Sequence, residues 1–132
     1  MESEHDLIVQ RISSSIKKTN KKIRIFTPFI YSPQRKSNLC EIDLAAFISN
    51  KICIFEIKSG SKENKAKKQL EFHKKQISVL RLRIANKYNL VFSAIKSFWV
   101  ANEYNIIVNI ETNEQIVFDP TLIENPLEFL LR

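Results

Sequence analysis

Four charged side chains stand inside the most apolar stretch of this chain. They are Glu41, Asp43, Glu56 and Lys58, within L-C-E-I-D-L-A-A-F-I-S-N-K-I-C-I-F-E-I-K-S-G at 39–60. Carboxylates set among hydrocarbon lose hydration and repel one another, so a cluster of them takes up protons or binds a cation. An all-oxygen donor set is hard-ligand chemistry, which suits Mg²⁺ or Mn²⁺ rather than zinc. A lysine beside such a set supplies a compact positive charge that can stabilise a phosphoryl group.

The spacing gathers these groups only if the chain doubles back. Two runs of β-formers flank Ser49-Asn50, which reads as a two-residue hairpin turn. With that turn as centre, Asp43 faces Glu56 and Glu41 faces Lys58. Opposed residues point to one side of a sheet, and so do residues two apart on a strand. All four charges are therefore predicted on one face at one end of the hairpin. Phe47, Ile52 and Ile54 continue that face as hydrocarbon, while Ile42, Leu44, Phe55 and Ile57 line the other. Strands apolar on both faces belong to a covered central sheet.

The first acid, the hairpin and the E-I-K that follows resemble the PD-(D/E)XK nucleases, the restriction-endonuclease-like superfamily. Asp43 matches the first acid, Glu56 and Lys58 match (D/E)XK, and Ile42 stands where the proline would be. The resemblance covers roughly residues 1–102 and implies an α/β fold with an αβββαβ core. In that fold a central mixed sheet is flanked by helices; here a C-terminal β-hairpin and a short helix would follow. It implies Asp43, Glu56 and the Ile57 carbonyl as ligands of Mg²⁺ or Mn²⁺, with Glu4 or Glu41 completing the shell, and Lys58 as the catalytic lysine. In the RecB-related exonuclease branch a Q-x-x-x-Y pattern lies on the helix after the motif. This chain has Gln69-Leu70-Glu71-Phe72-His73, so Gln69 matches as a catalytic candidate and His73 replaces the tyrosine. His5 is a surface histidine or, as in the RNA-cleaving branch, a participant in the site.

In size and layout the chain is also similar to archaeal Holliday-junction resolvases, which act as homodimers. Phe72, Val79 and Leu82 fall off the apolar stripe of their helix, and would form a subunit contact or cap the core beneath the C-terminal hairpin. The resemblance implies a DNA endonuclease, structure-selective or general. Behind it stand an exonuclease or RNA endonuclease of the superfamily, and a binding module that keeps the fold without cleaving.

Composition sets the frame. The 132 residues suffice for one domain, 1–132, with its own core. Lys and Arg number 21 against 14 Asp and Glu, a net charge of +7, which favours a polyanionic partner. Nucleic acid is the first candidate, DNA ahead of RNA, and Lys21, Lys22, Arg35, Lys36, Lys62 and Lys65 are the basic residues placed to meet phosphate. Cys40 and Cys53 lie inside apolar strands and read as reduced thiols; two cysteines exclude a four-cysteine iron–sulfur cluster. No apolar run approaches membrane-spanning length and the acidic N-terminus has no signal-peptide pattern, so a cytoplasmic protein without membrane contact is expected.

The positioning elements follow from periodicity. A helix is predicted over 4–18, capped by Ser3, with Leu7, Ile8, Val9, Ile12 and Ile16 as its apolar face. A strand at 23–27 ends at Pro28, and 28–38 reads as an irregular basic loop. After a polar loop at 59–64, residues 65–87 read as one long helix, with Ala66, Leu70, His73, Ile77, Leu80 and Ile84 on one stripe. His73 in such a stripe reads as a satisfied core histidine. A strand over 97–102, a hairpin about E-T-N-E and a short helix within 120–131 complete the chain.

Overall fold

The computed structural model describes residues 3–33, 39–101, 106–117 and 126–132. The chain opens with α1 (Glu4–Thr19), then β1 (Arg24–Phe26), β2 (Phe29–Tyr31), β3 (Cys40–Ile42), β4 (Leu44–Ile48) and β5 (Lys51–Lys58). A single 3₁₀ turn at Gly60–Lys62 leads into α2 (Glu63–Val79) and α3 (Arg81–Tyr88). It closes with β6 (Ala94–Ala101), β7 (Ile106–Asn109), β8 (Gln115–Val117) and α4 (Pro126–Leu130). A mixed six-stranded sheet runs β1-β4-β5-β6-β7-β8, with β5 and β6 parallel and the other neighbours antiparallel. β2 and β3 form a separate antiparallel ribbon.

Helices cover both faces of the sheet. On one, Ile8, Val9, Ile12 and Ile16 of α1 and Phe129 and Leu130 of α4 join a core with Leu44, Ala46, Phe55, Ile57 and Phe98. On the other, Ala66, Leu70 and Ile77 of α2, Ile84 of α3 and Leu80 between them pack with Ala45, Phe47, Ile52, Ile54 and Trp99. The alternation along β4 and β5 therefore divides one strand pair between two cores, as the two-sided apolar pattern requires.

Local chemistry explains most boundaries. The Ser3 hydroxyl accepts from the Asp6 N–H at 3.1 Å and starts α1. Ser49 and Asn50 both take positive φ, 46° and 55°, which gives the turn the twist a two-residue hairpin needs. Asn89, at φ 53°, caps α3, and the chain turns back toward β6.

Three expectations need correcting. The stretch after Pro28 contains a strand, because Phe29, Ile30 and Tyr31 find a distant partner in Cys40–Ile42. The long helix divides at Leu80, whose buried side chain sits where the backbone leaves helical geometry. The strand expected at 97–102 begins earlier, at Ala94, where parallel pairing with Lys51 starts. Of the C-terminal helix, Pro126–Leu130 is helical and 118–125 lies outside the described residues. Among the described residues no helix is long and apolar enough to cross a membrane.

Candidate functional site

The hairpin keeps the predicted register from Ile48↔Lys51 to Leu44↔Phe55, and there β4 stops. Continued pairing would put Ile42 opposite Ile57, but Ile42 pairs with Phe29 in the ribbon. Asp43 occupies the bend between the two sheets. Its Oδ2 accepts from the Ile57 N–H at 2.9 Å, so the carboxylate takes the place of the missing strand. A residue in an antiparallel pair presents its N–H and C=O to the same side. The Ile57 carbonyl therefore opens into the gap that Asp43 fills.

Departure of the strand changes the predicted pairing. Glu41 lies opposite Ile30, not Lys58, and is exposed on the ribbon. Asp43 and Glu56 are not opposed in a β ladder, yet the two carboxyl groups meet by hydrogen bonding across the bend, and the Asp43 main-chain N–H donates to the Glu56 carboxyl as well. Glu56, 5 % exposed, lies beside Trp99 of β6, and Lys58 ends the strand two residues on. The Trp99 indole N–H donates to the Lys58 carbonyl at 3.3 Å and holds that end of β5 in place.

Electrostatics at this spot are strained in one direction. Burial pushes the Glu56 carboxyl up, the charge of Asp43 and its hydrogen bond push it further, and Lys58 pulls it down, leaving it at about 8. Two carboxyls thus share too little positive charge to ionise together, the situation in which a cation is welcome.

Further side chains close around the pair. His5 Nε2 lies 3.2 Å from Asp43 Oδ2, with Nδ1 3.7 Å from Asp6 Oδ1. Glu4 is exposed one position earlier on α1, and it is His5 that reaches the acid. His5, Asp6 and Asp43 open on a cleft of about 330 Å³ that Val9, Pro28 and Glu41 also line. On the α2 side, His73 Nε2 lies 3.7 Å from Glu56 Oε1 and Nδ1 sits 2.7 Å from the Tyr31 hydroxyl. Burial lowers the His73 pKa, against the pull of Asp43, and raises that of the Tyr31 phenol, which Cys40 raises further. Gln69 stands one turn before His73 and its amide oxygen is buried without a hydrogen-bond partner among the described residues.

The basic candidates separate by position. Lys62 and Lys65 are exposed at the start of α2, just past Lys58. Lys21 and Lys22 follow the C-terminal end of α1, roughly 20 Å from the acids, given the rise of a 16-residue helix. They belong to the far end of the sheet, where β1 begins. Arg35 and Lys36 lie outside the described residues. Phe72, Val79 and Leu82 are 47 %, 83 % and 78 % exposed, so none of them caps the core.

Sequence reasoning missed Tyr31 and left His5, whose ring reaches Asp43, open between a surface position and the site. Nothing local marks Tyr31, since it meets His73 across 42 residues of chain. His73 was marked by its place in an apolar stripe, where a ring nitrogen needs a partner.

The Asp43 and Glu56 carboxyl groups meet beside the Ile57 N–H, and Glu4 is exposed on α1. Among the described residues no group of three or more His, Cys, Asp or Glu is placed to hold a metal ion. No protein-family model and no curated protein matches the chain.

Proposed function

We propose that this chain is a Mg²⁺- or Mn²⁺-dependent nuclease of the PD-(D/E)XK kind, hydrolysing phosphodiester bonds in DNA as an endonuclease. The observation that carries the reading is the meeting of Asp43 and Glu56 at the open end of β5, with Lys58 two residues on. Ordered as α1, β1, β4, β5, α2, β6, with β2–β3 inserted after the first strand, the elements agree with an αβββαβ core.

Asp43, Glu56 and the Ile57 carbonyl would hold the cation. Once bound, it lowers the pKa of water and offsets charge on the phosphoryl oxygens. Lys58 brings a point charge to the same end of the strand, where it orients the attacking water and stabilises the phosphoryl group as charge builds. α1 begins at this end, where His5 of its first turn reaches Asp43, so its positive dipole end favours an approaching phosphate. Lys62 and Lys65 add exposed positive charge at the start of α2.

The test is a cleavage panel of four-way junction, flap, duplex, single-stranded DNA and RNA with Mg²⁺ or Mn²⁺. Cleavage abolished by Asp43→Asn, with binding retained, supports the reading. Binding without cleavage by the native chain establishes a non-catalytic module instead. The preferred substrate separates the endonuclease from exonuclease and RNA-cleaving alternatives.

A further inference from the structure

His73 is buried against the sheet with both ring nitrogens facing named groups: Tyr31 at 2.7 Å and Glu56 at 3.7 Å. Tyr31 belongs to the β2–β3 ribbon, Glu56 to the main sheet, and His73 to α2, so the imidazole joins three separate elements. A neutral imidazole carries one N–H, and its partners decide which nitrogen holds it. Were Nδ1 to hold the proton and donate to the phenol, the Nε2 lone pair would face Glu56 and repel it in the carboxylate form that holds a cation. With the phenol, which also meets the Cys40 side chain, donating to Nδ1, Nε2–H points at Glu56 Oε1 and both ring nitrogens have a complementary partner. The ring stacks edge-on against Tyr31, at 5.7 Å between centroids and 76° between planes, which restricts its rotation.

We infer that His73 is a positioning residue: Tyr31 fixes it as the Nε2–H tautomer, and that N–H orients the Glu56 carboxylate toward Asp43. The 3.7 Å separation is that of an ion pair rather than a hydrogen bond. Carboxylates that hold a metal are themselves held by such partners, whose removal typically weakens metal affinity about 10–100-fold. This inference rests on the proposed role of Glu56, but its primary readout does not require cleavage.

The experiment is ¹⁵N NMR of the histidine side chains in the full chain at pH 9, with Tyr31→Phe alongside, followed by Mn²⁺ titration of His73→Leu and His73→Gln. The expected spectrum shows His73 protonated at Nε2, and a mixture of tautomers in Tyr31→Phe. Mn²⁺ affinity should fall about 10–100-fold in His73→Leu and recover in His73→Gln, whose amide N–H can still reach Glu56. An Nδ1–H tautomer in the native chain, or one unchanged by Tyr31→Phe, overturns the inference. Equal Mn²⁺ affinity in His73→Leu and the native chain does so too. The expected tautomer in a chain that binds no Mn²⁺ and cleaves nothing would overturn the nuclease reading and the orienting role together, leaving only the Tyr31–His73 bond.

Discussion

At the turn end of the β4–β5 hairpin, Ile48 and Lys51 pair across Ser49 and Asn50, and the register runs unbroken to Leu44↔Phe55. There Phe47 packs edge-on against Phe92 at 6.0 Å between ring centroids, and both are buried. At the other end the ladder fails at Asp43, and a side-chain oxygen replaces a main-chain one. The groups now buried there are a glutamate and a histidine. One end is held by repeating main-chain bonds and hydrocarbon. The other gives up that regularity so that carboxyls can approach each other. Where a strand leaves its partner, the sheet exposes main-chain N–H and C=O groups, and the side chains that satisfy them are fixed in position.

Substitutions at the two ends should therefore fail in different ways. Ile52→Ala, fully buried opposite Phe47 at the closed end, should cost about 2–5 kcal/mol of stability, read by denaturant unfolding. Lys58→Met, at the open end, should leave unfolding near native while lowering the cleavage rate about 10²–10³-fold, the loss expected for one electrostatic donor to a transition state. Asp43 is expected to show both effects. Asp43→Ala strands the buried Ile57 N–H and should cost about 1–3 kcal/mol, whereas Asp43→Asn keeps an accepting oxygen and should retain most of that stability. Equal destabilisation by both would mean that charge, not the hydrogen bond, holds the bend.

A pH effect follows from Glu56. Its carboxyl, near 8 in the folded chain, binds a proton more tightly than the ordinary carboxyl of the unfolded chain. Between those two values the unfolded state has released a proton that the folded state keeps, so stability falls as pH rises through that window. Thermal unfolding measured from pH 5 to pH 9 should show this decline, and Glu56→Gln should flatten it. Smallest of all, Lys62→Gln and Lys65→Gln should each reduce the salt dependence of DNA binding by about one unit of slope. The same changes at Lys21 and Lys22, near the opposite end, should leave it unchanged.

Much of the closed end was legible in the sequence, because its determinants are local. A capping serine, a 3.6-residue stripe and a Ser-Asn turn between β-formers specify α1 and the hairpin register within a few residues of each position. The open end depends on contacts between distant segments. Where β4 stops is decided by Phe29, Ile30 and Tyr31 capturing Cys40–Ile42, a pairing that no periodicity near residue 41 announces. That capture moves Glu41 away from Lys58. The reach of His5 to Asp43, and of Tyr31 to His73, likewise depends on how helices and ribbon dock. The Asp43, Glu56 and Lys58 motif was visible because its members lie on adjoining strands of one hairpin. Their surroundings were not, because they come from three other elements.

The central claim is that Asp43 and Glu56 together hold a divalent cation. Calorimetric titration with Mn²⁺ at pH 7, in two buffers of different ionisation heat, tests it most directly. The account predicts binding by the native chain with release of a proton from the carboxyl pair, and loss of that binding in Glu56→Gln and Asp43→Asn. Native protein that binds no Mn²⁺, or variants that bind it as tightly as the native chain, would contradict it.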